Sequence, residues 1–197
     1  GRDSMEANTT GANNTAVGIG ALKSSTTASN GTAVGQKSGF SVTTGTHNTF
    51  IGNLAGYSTT TGGDNIAVGS TALYSNTTAS NNTAIGYSSL YYNTTGTRNT
   101  ALGKNALEDN TTGNDNVGVG YRAGYNITTS TDNTCVGTFA GTTLTTGGNN
   151  TFIGDDAGYF VTTGGDNTFI GKNCAQNVTT GSAHTVIGKY TGNGHGL

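Results

Sequence analysis

Three kinds of residue in this chain have the means for chemistry: adjacent acids, histidines and a series of tyrosines. Asp155-Asp156 and Glu108-Asp109 are neighbouring carboxylates, the raw material for a general acid and a general base. His47, His184 and His195 can ligate a metal or carry a proton, and Lys104, Arg98 and Arg122 can hold an anion. Asp64, Asp115, Asp132 and Asp166 sit at equivalent places in Gly/Asp/Asn loops and suggest calcium. Tyr57, Tyr74, Tyr91, Tyr125 and Tyr159, led by Phe40, recur at one phase and offer rings on which a sugar can stack.

What must position these residues is a strict repeat. Counting back from Gly171 in steps of 17 meets a glycine ten times, down to Gly1, and Gly188 follows in the forward direction. The averaged unit reads N-T-[AF]-[VI]-G-x-x-[AS]-[LG]-x-x-x-T-T-G-x-[DN]. A short period held without insertions is the mark of a solenoid, each repeat one coil stacked on the last. The fold expected is all-β, a parallel β-solenoid of about eleven coils, as a single array over residues 1–197. T-[AF]-[VI] is a short β-favouring run before a glycine that permits a tight bend. No helical periodicity runs for eleven residues or more.

The bulk numbers agree with a thin repeated core. Glycine accounts for 34 residues, proline and tryptophan are absent, and 31% of residues are hydrophobic, below a globular norm of about 45–50% by a count that also includes glycine. The net charge is −2, and the eight Lys and Arg fall at different phases, so no basic stripe forms and no nucleic-acid partner is expected. Apolar runs are only a few residues long, so no membrane insertion is expected. The chain opens already in phase with the repeat and has no signal-peptide pattern, which reads as a piece of a longer fibre protein. At the other end KYTGNGHGL departs from the unit, so the array stops there or passes into another module.

Inside and outside are assigned from the apolar positions. The residue before the glycine is always branched, from Val17 through Ile85 to Ile187, and this file is taken as the interior. The residue two before the glycine then faces the other way. It covaries with the residue four after: Phe50, Phe152 and Phe169 go with Gly56, Gly158 and Ala175, whereas Leu22, Leu73, Leu90 and Leu107 go with Ala16, Ala67, Ala84 and Ala101. Such volume compensation belongs to side chains sharing packed space. This second patch is either another interior side or a seam between chains, and the poor surface-to-volume ratio of one thin roll favours a contribution to a seam. Asn recurs four before the glycine, from Asn14 to Asn167, and can form a ladder at a coil corner. Cys135 and Cys174 differ in phase and lie two repeats apart, roughly 10 Å by stacking, beyond disulfide reach.

Units such as NNTAIGYSSLYYNTTGTRNTALGKNAL, Asn81 to Leu107, resemble the head repeats of trimeric autotransporter adhesins. They resemble more closely the N-T-A-[VI]-G arrays of phage tail fibres and related bacterial surface proteins. The likeness covers residues 1–192 and implies a left-handed parallel β-roll, three chains side by side, on a virion or cell exterior. The coil of 17 residues is longer than that of the adhesin heads.

In such a coil the reactive residues read as surface. Asp155-Asp156 occupies positions that elsewhere hold Ser70-Thr71, Tyr87-Ser88 and Lys172-Asn173, an exposed variable edge. His47 and His184 replace turn Asp or Asn, and no third ligand shares their phase. The calcium pattern fails because a nine-residue G-G-x-G-x-D period is missing. No catalytic residues, metal or cofactor are expected. The reading is a non-enzymatic structural and adhesive fibre module, extracellular, at a cell surface or on a virion. Its partners are copies of itself and a cell-surface glycan or receptor, with contact at Tyr57, Tyr74, Tyr91, Tyr125 and Tyr159; the competing account of those rings is packing along the roll or between chains. Two alternatives stand beside it. Ten N-x-T sequons allow a glycosylated extracellular filament subunit. Thr columns allow an ice-binding β-solenoid, although adjacent T-T in an extended segment points its hydroxyls to opposite faces.

Overall fold

A computed structural model describes residues 1–189; the departure from the repeat beyond Lys189 lies outside them. Eleven strands, one per coil, run from β1 (Thr15–Val17) through β5 (Thr83–Ile85) and β6 (Thr100–Leu102) to β11 (Thr185–Ile187). They form a single parallel sheet in sequence order. Register is the repeat itself: Thr83 pairs with Thr100, Ala84 with Ala101 and Ile85 with Leu102. The protein is a β-solenoid with the expected coil length.

Each strand spans three residues because the glycine that follows ends it. Gly86 has φ +133°, and a Cβ there would lie 2.5 Å from the carbonyl oxygen of Gly103 in the next coil. No L side chain fits that backbone or that space. Beyond the bend, successive coils stay bonded to one another: Leu90 N–H donates to Ala106 C=O at 3.1 Å and Thr94 N–H to Thr111 C=O at 2.9 Å. Backbone polar groups are therefore met by neighbouring coils away from the sheet as well as within it.

The structure reverses the assignment of inside and outside. Ala84 is 0% exposed, whereas Ile85 is 37% exposed, and the same contrast separates Ala101 from Leu102. The branched file, taken as interior from the sequence, is the outward row of the sheet. The alanine/phenylalanine file is the core, and it packs on the leucine/glycine file four after the bend. The size covariation thus reports an interior contact. A Cβ on Gly56 would come within 2.6 Å of the Phe50 ring, and one on Gly118 within 2.8 Å of Leu107. The physical reason is the narrowness of the coil. Alternation sends one of every two strand side chains inward, and the interior holds only what the leucine/glycine file leaves free. Leu22, Leu73, Leu90 and Leu107 enter that space from a left-handed backbone, φ 50–54°, a conformation that costs about 1 kcal/mol per residue and is offset by their burial.

A third interior file was missed. It lies seven after the glycine and reads Val42, Thr59, Asn76, Asn93, Asn110, Ile127, Leu144 and Val161, all buried. Its polar members hid it from a hydrophobicity reading. Between this file and the next strand, burial follows a period of three rather than two: Asn93 buried, Thr94 half-buried, Thr95 exposed, Gly96 buried, Thr97 half-buried, Arg98 exposed, Asn99 buried. The two threonines of T-T-G accordingly do different work. Thr94 Oγ1 donates to Thr111 C=O at 3.0 Å, and Thr95 faces solvent.

The reversal is testable within one strand. Ile85→Ser should change stability by less than about 1 kcal/mol, as for other surface substitutions. Ala84→Leu should cost about 1–3 kcal/mol by overpacking. Urea denaturation of both variants checks the order, and the opposite order would restore the branched file to the core.

Candidate functional site

The tyrosine column divides into two kinds of site. Phe40, Tyr57, Tyr74 and Tyr91 stack face to face, with centroids 5.2, 5.1 and 5.0 Å apart and planes within 13° of parallel. Both faces of Tyr74 are covered by its file-mates, so this stretch shows ring edges to solvent. Packing along the roll accounts for it, and neither face of Tyr57 or Tyr74 is open for a sugar to lie on. Burial raises the Tyr91 phenol above its usual range, helped by the neighbouring Tyr74 and Tyr92.

Glu108 takes the aromatic position in the next coil and ends the stack. Burial raises its carboxyl, a shift opposed by the hydrogen bond donated by Asn105. Burial raises Asp109 as well, against the pull of Arg122. Arg122 lies over the Tyr125 ring, 4.5 Å from its centroid, so one face of that tyrosine is occupied by a guanidinium. These groups form a packed surface cluster. Tyr159 differs from all of these. It meets Phe139 and Phe160 edge-on, at 6.2 and 4.8 Å between centroids, beside an open hollow.

The remaining reactive residues are dispersed along the rod. Asp155 pairs with Lys172 in the next coil at 2.8 Å. His47 is exposed, with Nδ1 3.8 Å from Asp64. His184 replaces an asparagine of the buried ladder, its N–H donating to Asn167 Oδ1 at 3.0 Å. Among the described residues no three His, Cys, Asp or Glu gather as a metal site. Asp115, one of the acids that suggested calcium, is held below the usual carboxylate range by the two-pronged Arg98 guanidinium. Cys135 and Cys174 are both free and buried, and burial pushes the Cys135 thiol up to about 12.

The other surface feature is the outer face of the sheet, whose role sequence reasoning missed. Twelve large apolar side chains are exposed among the described residues, and seven belong to its two outward files: Val17, Ile51, Ile66, Ile85, Leu102, Ile153 and Ile187. Ile19, Tyr87 and Tyr121, just past the bend, add three more. Thr occupies the first strand position in nine of the eleven strands. The face is therefore an uncharged T-x-[VI] array. Its signal was present in the sequence, because the branched file shows no size compensation with any other column. Comparison with protein-family models, curated proteins and solved structures finds no match to this chain.

Proposed function

We propose that this chain is a rigid, non-catalytic fibre module that assembles with copies of itself through the outer face of its sheet. In this reading it serves as a shaft with adhesive contacts, on a virion tail fibre or a bacterial surface appendage. The observation that supports it is the row of exposed branched side chains from Val17 to Ile187. At about 4.8 Å per strand the row is about 50 Å long, and it runs beside a file of threonines about 7 Å away, so the two files span about 350 Å², of which the branched half is apolar. Ile19, Tyr87 and Tyr121 extend that face past the bend. A continuous apolar row along one side offers a surface for self-pairing. Three chains around one axis is the closed arrangement that the family resemblance implies. Stacked coils with paired backbones give the stiffness such a shaft needs.

The regularity of the same face favours a second reading, binding to ice. T-x-[VI] lays threonine hydroxyls and branched methyls on one surface, and both side chains are stiff at χ1. Such an array can order water, an arrangement that adjacent T-T did not offer. The glycosylated-filament alternative is weakened, because three sequon asparagines, Asn76, Asn93 and Asn110, are 0% exposed in the core.

One experiment separates the two readings of the face. Native mass spectrometry should give a multiple of the 19.7 kDa chain, and Ile85→Asp with Ile153→Asp should reduce it to one chain with its strand circular dichroism intact. Thermal hysteresis from a monomeric chain would overturn the fibre reading in favour of ice.

A further inference from the structure

An open hollow of about 400 Å³ is lined by Phe139, Asp156, Tyr159, Phe160 and Gln176. It lies where the repeat breaks its own symmetry. The file-mates of Tyr159 in the coils before and after it are Thr142 and Gln176, neither of which brings a ring to cover its faces. Phe139 and Phe160 stand instead nearly at right angles to it, with planes at 71° and 70°. Phe160 is 46% exposed, a large apolar side chain off the sheet face. Asp156 makes no ion pair among the described residues, the nearby Lys172 being held by Asp155.

We propose that this hollow is a binding site for a neutral saccharide, with Tyr159 and Phe160 receiving the C–H face of a pyranose and Asp156 and Gln176 bonding its hydroxyls. The chemistry of the lining selects that class. Perpendicular aromatic walls offer π surface to weakly polarised C–H groups. A free carboxylate accepts hydroxyl hydrogens strongly, and a carboxamide both donates and accepts. An anion is repelled by Asp156, whose neighbour Asp155 is neutralised by Lys172. A quaternary ammonium suits aromatic walls, but it has no N–H or O–H to give Asp156 or Gln176 and leaves the polar half of the lining unused. Burial and the neighbouring Asp155 raise the Asp156 carboxyl, the expected state of an acid without a partner. The site rests on the fibre reading for its purpose, a receptor contact, and not for its chemistry.

Saturation-transfer NMR on the intact chain tests it, using methyl glycosides of glucose, galactose, mannose and N-acetylglucosamine, with tetramethylammonium as the rival probe. At least one glycoside should receive saturation at its ring C–H protons at millimolar concentration. Asp156→Asn and Phe160→Ala should each weaken binding about tenfold, the usual effect of losing a charged hydrogen bond or a stacking ring. Tyr92→Ala, an exposed aromatic in another coil, should leave it unchanged. Asp156→Asn, which removes no packing, decides the matter if Phe160→Ala fails to fold. Absence of saturation from every glycoside, equal binding by Asp156→Asn, or saturation of tetramethylammonium alone would overturn the site. A chain that binds no sugar yet keeps its multimeric mass would lose the site and retain the fibre reading.

Discussion

Replacing Gly86 with alanine should cost the solenoid about 3–5 kcal/mol, among the largest losses a single methyl group can cause. Two effects combine. The backbone at φ +133° is closed to L side chains, and the new Cβ would sit 2.5 Å from Gly103 C=O. That carbonyl belongs to the next coil, and moving it would break the ladder on which coil follows coil. The damage lands in the middle of a nearly one-dimensional structure in which each repeat is supported only by its neighbours. Gly148 supplies the control. It has no positive φ, and its nearest contact for an added Cβ is Thr131 C=O at 3.2 Å. Gly148→Ala should change stability by less than about 1 kcal/mol. Urea midpoints of the two variants measure the difference, and equal midpoints would remove the glycine file from its structural role.

Asn99→Ala is expected to be almost as severe. The asparagine is fully buried and binds in two directions. Its Nδ2 donates to Gly113 C=O at 2.8 Å, and its Oδ1 accepts the Asn116 N–H at 2.9 Å. Alanine would leave the Asn116 N–H buried without an acceptor, at about 1–3 kcal/mol, and would take from Gly113 C=O one of its two donors, leaving it Asn110 Nδ2. A loss of about 2–4 kcal/mol follows from the orphaned N–H and the lost second bond together. Amide exchange at Asn116 should quicken with it, because that proton loses its acceptor. Thr95→Ala, on the exposed side of the same coil, should stay within about 0.5 kcal/mol. An Asn99→Ala melt that matches Thr95→Ala would mean that water or backbone relaxation satisfies the ladder.

The distance between these buried residues and the surface sites has a functional consequence. The Gly and Asn files repeat through nearly every coil because the stacking interaction requires them there. The rings and acid around the hollow occur once, because no stacking contact specifies them. Tyr74 and Tyr159 make the point within one column. They share a phase in the repeat, yet Tyr74 is covered on both faces and Tyr159 stands beside open space. The difference lies in their file-mates, Tyr57 and Tyr91 for the one, Thr142 and Gln176 for the other. Both sets were present in the sequence, but the perpendicular meeting of Phe139 and Phe160 with Tyr159 requires coordinates.

The number of coils, their register and the files into which side chains fall are all legible in the order of residues. A 17-residue period without insertions admits one stacking register, and the bend glycine and the Asn ladder followed from it. Which files face inward is settled by the folded coil. Alternation along Thr83, Ala84 and Ile85 says that neighbours part company, not which of them meets the core. That choice depends on the coil's cross-section, which is set by turns such as those at Leu90 and Gly86 and by the side chains they bring from across the coil. Hydrophobicity favoured the isoleucine, and the volume shared by facing pairs, Ala84 with Leu90 or Phe50 with Gly56, favoured the other file. In an interior this narrow, volume prevails.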